Sequence, residues 1–95
     1  MSQFEVANGM TAEVLRAFRE RPHRVDQASG FIRMEVITPL EHPDQIWLMT
    51  WWRDADSYHA WHRSHAYHDS HAGMPKGLKL VRGSARVSFF NHYAS

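Results

Sequence analysis

The sequence predicts an α+β fold: a four-stranded antiparallel sheet with helices on one face, in the order β-α-β-β-α-β. Three observations carry this. Residues 31–38 and 45–52 have strand character and flank a polar loop with two prolines. Helical spacing of apolar residues follows the first short strand and recurs after Asp54. A last strand-rich stretch, Leu78 to Phe90, closes the order.

Each element has a local reason. Phe4 and Val6, with Gln3, open a short strand that Asn8-Gly9 turns. Thr11 is placed to cap the first helix, whose Val14, Leu15 and Phe18 face inward while Arg16, Arg19, Glu20 and Arg21 face water. Pro22 lacks an amide proton and ends or breaks that helix. Ala28-Ser29-Gly30 turns the chain into a strand in which Ile32, Met34 and Val36 point one way and Arg33, Glu35 and Ile37 the other. In the strand 45–52, Ile46, Leu48, Thr50 and Trp52 share one face and Trp47, Met49 and Trp51 the other. Both faces are apolar, so both are expected to be covered, one by helices and the other by a second subunit or a ligand. Asp54 caps a helix running from Ala55 towards Ser64, which Ala66 to His71 extend, with a bend near Ser64 allowed. Gly73 to Gly77 is a loop, and Gly83 a turn or bulge in the last strand.

Composition narrows the function. The chain has 95 residues, 43% of them hydrophobic and 13% aromatic, which supports one domain over residues 1–95 and argues against disorder. Without cysteine there is no disulfide, thiolate nucleophile or cysteine-held metal, and a reducing, cytoplasmic setting is expected. Eleven basic against ten acidic residues leave a net charge of +1, so no nucleic-acid footprint is expected. No apolar run approaches the roughly 18 residues of a membrane span, and no secretory signal is visible. There is no G-x-S-x-G elbow and no phosphate loop.

Histidine is the unusual residue: His59, His62, His65, His68 and His71 recur every three positions. Each such step slips back about 60° on a helix that advances about 100° per residue, so the series spirals instead of lining one face. Most of these side chains are expected at the surface; a shared metal is hard to build from them, and a single axial haem ligand is a further possibility. On an unbroken helix His71 lies about 80° around and about 15 Å along from Trp61, a separation suited to a large planar ligand.

The segments Ser29-Gly30-Phe31-Ile32, Trp47 to Trp52, Asp56-Ser57-Tyr58-His59-Ala60-Trp61 and Ser64 to His71, with the first helix around Phe18, resemble the antibiotic-biosynthesis monooxygenase family over nearly the whole length. The resemblance implies a ferredoxin-like dimeric α+β barrel and a homodimer. Within the family the chain looks closest to the haem-degrading branch. That branch implies haem as cofactor, His71 as the iron ligand, Trp61 against the haem face as a catalytic residue, Tyr58 and His68 lining the pocket, and an external electron donor, since no flavin or nicotinamide site is visible. The branch's first-strand asparagine would fall near Ser2 or Gln3, where this chain has none, and Asn8 lies close to the turn. Two other readings stand beside haem degradation. One is a cofactor-free monooxygenase of a phenol, quinol or polyketide-like aromatic, with His65 or His68 as base; the other is a non-catalytic dimeric ligand-binding protein.

Overall fold

The computed structural model describes residues 1–21, 24–64 and 74–95. Strands β1 (Ser2–Glu5), β2 (Phe31–Ile37), β3 (Gln45–Trp52) and β4 (Arg86–Val87) form one sheet in the order β2-β3-β1-β4, with every neighbouring pair antiparallel. Helix α1 (Thr11–Arg19) joins β1 to β2 through a 3₁₀ turn at Arg24–Gln27, and α2 (Ala55–His62) follows β3. The ferredoxin-like arrangement is therefore present, with two α-helices among the described residues. The expected barrel is not. Among the described residues the sheet is open, with β2 and β4 as unpaired edges. Four strands are half of the roughly eight that close around a packed interior. No helix among the described residues is long and apolar enough to cross a membrane.

The core lies between α1 and one sheet face. Val6, Val14 and Ile46 are buried there, and Phe4, Leu15, Phe18, Val36 and Leu48 pack around them. Burying a side chain the size of Ile46 stabilises the fold by about 1.5–3 kcal/mol. The alternate face of β3, with Trp47, Met49 and Trp51, is half-buried and has no helix over it among the described residues. There the Arg33 guanidinium sits 3.9 Å from the centre of the Trp51 ring.

Three local expectations are corrected. Thr11 does not cap α1: Met10 holds that position without a side-chain cap, and the Thr11 hydroxyl donates to Asp44 Oδ1 at 2.7 Å instead. Ile32 does not share the inner face with Met34 and Val36. The β2–β3 register shifts between Phe31 and Arg33, and Ile32 is 62% exposed at this bulge. The stretch Leu78 to Phe90, expected to be strand-rich with a turn or bulge at Gly83, has that turn but little strand. Only Arg86–Val87 forms a strand, with an isolated bridge between Val6 and Leu80. Gly83, at φ +77°, turns the chain between these two pairings, and Ser84 Oγ accepts the Glu5 amide proton at 3.1 Å. A side-chain oxygen thus takes one rung of the ladder, and the strand cannot run through it.

Candidate functional site

Helix α2 begins as its sequence requires. Asp54 is extended at the N-cap, and its Oδ1 accepts both the Ser57 amide at 2.8 Å and the Ser57 hydroxyl at 2.6 Å. These bonds, the hydroxyl first, hold the Asp54 carboxyl below the ordinary aspartate value, with Arg53 Nε at 3.3 Å from Oδ2 adding to them. Asp56 in the first turn complements the positive helix end. At the other end Ser64 donates to the Trp61 carbonyl through its amide at 2.9 Å and its hydroxyl at 2.6 Å, closing the helix just beyond Trp61.

Ser57, Ala60, Trp61 and Ser64 follow the i, i+3, i+4, i+7 pattern and so line one helical stripe. Across from them runs the turn Gln27-Ala28-Ser29. Between the two lies a cleft of about 590 Å³, whose lining Arg53, Asp54 and Asp56 complete. The turn and the helix meet at Gly30. Its carbonyl accepts the Arg53 amide at 2.7 Å, and its α-carbon lies so near Ser57 that an added Cβ would stand 2.6 Å from Ser57 Cβ. The cleft is thus framed by a tight joint and walled by one indole opposite small side chains. That shape accepts a flat ligand.

Of the expected site residues, Trp61 lines this cleft. Tyr58 lies on another side of α2. Its ring meets Trp52 at 5.8 Å and Phe89 at 5.4 Å edge-on and stacks on His62 at 5.9 Å. His59 also contacts Phe89. His65, His68 and His71 lie outside the described residues. Asn8 ties a loop, donating to the Gly77 carbonyl at 2.7 Å. Gln3 faces away from the helices, in a hollow of about 170 Å³ with Glu5, Gln45, Ser84 and Arg86. No group of three His, Cys, Asp or Glu side chains among the described residues could hold a metal ion, so nothing there adds support to the iron expectation. The sequence reading missed the cleft's small residues and its Gln27–Ser29 wall. The signal for the former was present: Ser57, Ala60 and Ser64 leave space beside Trp61 at helical spacing.

Comparison with known proteins agrees with this architecture. The heme oxygenase (mycobilin-producing) of Mycobacterium tuberculosis is 26% identical over 89 residues, covering 94% of this chain and 83% of that protein. A putative antibiotic biosynthesis monooxygenase from Bordetella bronchiseptica superposes with a TM-score of 0.82 at 13% identity, over 98% of this chain and 93% of the other. SnoaB, a cofactor-independent oxygenase from Streptomyces nogalater, superposes with a TM-score of 0.75 at 15% identity, over 99% and 90%. At such identities the two structures speak for the fold alone. The profile of the antibiotic biosynthesis monooxygenase family matches residues 1–73, most of the chain. This protein belongs to the antibiotic biosynthesis monooxygenase family.

Proposed function

We propose that the protein is an oxygenase that works without a resident cofactor on a planar phenol or quinol held in the Trp61 cleft. The observation that carries this is the cleft itself: an indole wall, small facing side chains and a volume of about 590 Å³. Family membership supports oxygenase chemistry, and the likeness to a cofactor-independent oxygenase is in keeping with it. In such a reaction a base removes the phenolic proton, and the electron-rich anion reduces O₂ directly. One oxygen atom becomes a ring carbonyl. The other leaves as water with the phenolic hydrogen and one ring hydrogen, so a phenol becomes a quinone. The protein stacks the ring on Trp61, keeps bulk water from one face and takes the proton. The base is assigned to His65 or His68 from sequence.

Haem degradation is the second reading, favoured by the mycobacterial relative. The described lining does not fit haem well. Haem brings two carboxylates, whereas this lining already holds Asp54 and Asp56, and its one guanidinium, Arg53, is paired with Asp54. The working unit of the proposal is a homodimer formed through the sheet face that carries Trp47, Met49 and Trp51. The apolar side chains of that face, which no helix covers among the described residues, support this.

Oxygen uptake tests the proposal. With a panel of naphthols and anthrones, in excess chelator and without haemin, the protein should consume O₂ above the uncatalysed rate, and Trp61→Ala should reduce this at least about tenfold. Uptake absent from the whole panel, together with a Soret band saturating at one haemin per chain and bleaching with reductant and O₂, would replace this reading with the haem one.

A further inference from the structure

We infer that the cleft selects its aromatic ligand by charge: it takes rings bearing an amine or a neutral hydrogen-bond donor and turns away rings bearing a carboxylate. This rests on the reading of the cleft as the ligand site and adds the chemical class of the ligand.

Arg53 and Asp54 are engaged with each other, Nε to Oδ2 at 3.3 Å, and Oδ1 of Asp54 already accepts two hydrogen bonds from Ser57. Asp56 differs. It lines the same cleft, yet its carboxylate makes no hydrogen bond and no ion pair among the described residues. The charges of the described lining, one guanidinium against two carboxylates, leave a net negative site. The negative member without a partner is the one available to a ligand.

Geometry gives this charge a direction. Asp56 and Trp61 both line the cleft; five residues apart on α2, they stand about 140° apart around the helix and about 7.5 Å apart along it, at opposite margins of the helical wall. A ring held in the cleft against Trp61 can therefore carry a substituent across it towards Asp56. An ammonium or hydroxyl on that substituent gains a charge-assisted hydrogen bond. A carboxylate there meets like charge, and the guanidinium of the described lining already faces Asp54 through its Nε. Because Asp56 is exposed, solvent and salt weaken the effect, and its size is that of a surface ion pair.

Three redox-inert probes of one ring size test this: 1-naphthylmethylamine, 1-naphthalenemethanol and 1-naphthoate, titrated calorimetrically into the full chain at about 20 mM salt. The amine should bind about fivefold tighter than the carboxylate, with the alcohol between them. Asp56→Asn should bring the amine-to-carboxylate ratio close to one, 0.5 M salt should do the same for the unaltered protein, and Glu41→Gln should leave the ratio unchanged. A carboxylate that binds as tightly as the amine, or a ratio that persists in Asp56→Asn, overturns the inference. Binding of the neutral alcohol and its loss in Trp61→Ala report on the cleft separately. If the alcohol binds through Trp61 while the charge order is flat, charge selection alone fails; if the alcohol does not bind, both readings fail.

Discussion

Replacing Gly30 with alanine tests the joint that frames the cleft. Two penalties add at this position. Gly30 has φ +82°, a left-handed conformation that costs an L-residue about 1–2 kcal/mol. The stiffer unfolded chain returns about 0.5 kcal/mol of this, leaving about 1 kcal/mol. The new methyl group would also collide with Ser57, whose Cβ lies 2.6 Å from its ideal position. Ser57 has little freedom to retreat, because its amide and hydroxyl both bind Asp54. Overpacking of this kind costs about 1–3 kcal/mol, so the total is about 2–4 kcal/mol. Gly77 supplies the control. Its φ is +80°, and nothing lies within 4 Å of an added Cβ, so Gly77→Ala should show the conformational penalty alone, about 1 kcal/mol. In urea, with a slope near 1 kcal/mol per molar, the midpoint should fall by about 1 M for Gly77→Ala and about 2–4 M for Gly30→Ala. If the two midpoints agree within about 0.5 M, the close approach of turn and helix is not a structural constraint.

Asp54 has a carboxyl held below its ordinary value by Ser57, so its cap stabilises the fold above about pH 4 and is lost as pH falls through the depressed folded value; a thermal-melt series from pH 7 to pH 2 should show a steeper acid limb in the unaltered protein than in Asp54→Asn, and equal limbs would remove the cap from the account. The half-buried sheet face that no described helix covers should mediate self-association, so sedimentation at micromolar concentration should give twice the 11.1 kDa chain mass and Met49→Asp should give the single-chain mass; a monomeric unaltered protein would refute the dimer.

Strand β3 was legible to the residue because both of its ends carry chemical punctuation: Pro43 and Asp44 before it, and the capping Asp54 after it. The C-terminal strand was less legible. Residue preference over Leu78 to Phe90 is real, but a strand needs a partner, and β1 offers four residues and a rung already taken by Ser84 Oγ. The Ile32 bulge was hidden because alternation continues through it in sequence while the pairing with β3 slips in space. Thr11 illustrates competition. Its hydroxyl can satisfy a helix end or a carboxylate, and Asp44, 33 residues away, wins. Trp61 stood out as an aromatic residue. The space beside it did not, since Ala60 and Ser64 read as ordinary surface until the turn at Gln27–Ser29 is placed opposite them.

The open sheet also governs how these molecules can meet. An unpaired strand edge is a template on which a foreign strand can grow, and the described residues leave two of them. Each is blunted in its own way. On β2 the Ile32 bulge breaks the regular spacing of free amides and carbonyls, and the paired Arg33 and Glu35 place charge on the sheet face beside Trp51 and Met49. On β4 only Arg86 and Val87 are extended in register, too few rungs to nucleate a neighbour. Lateral stacking into ribbons is therefore discouraged at both margins.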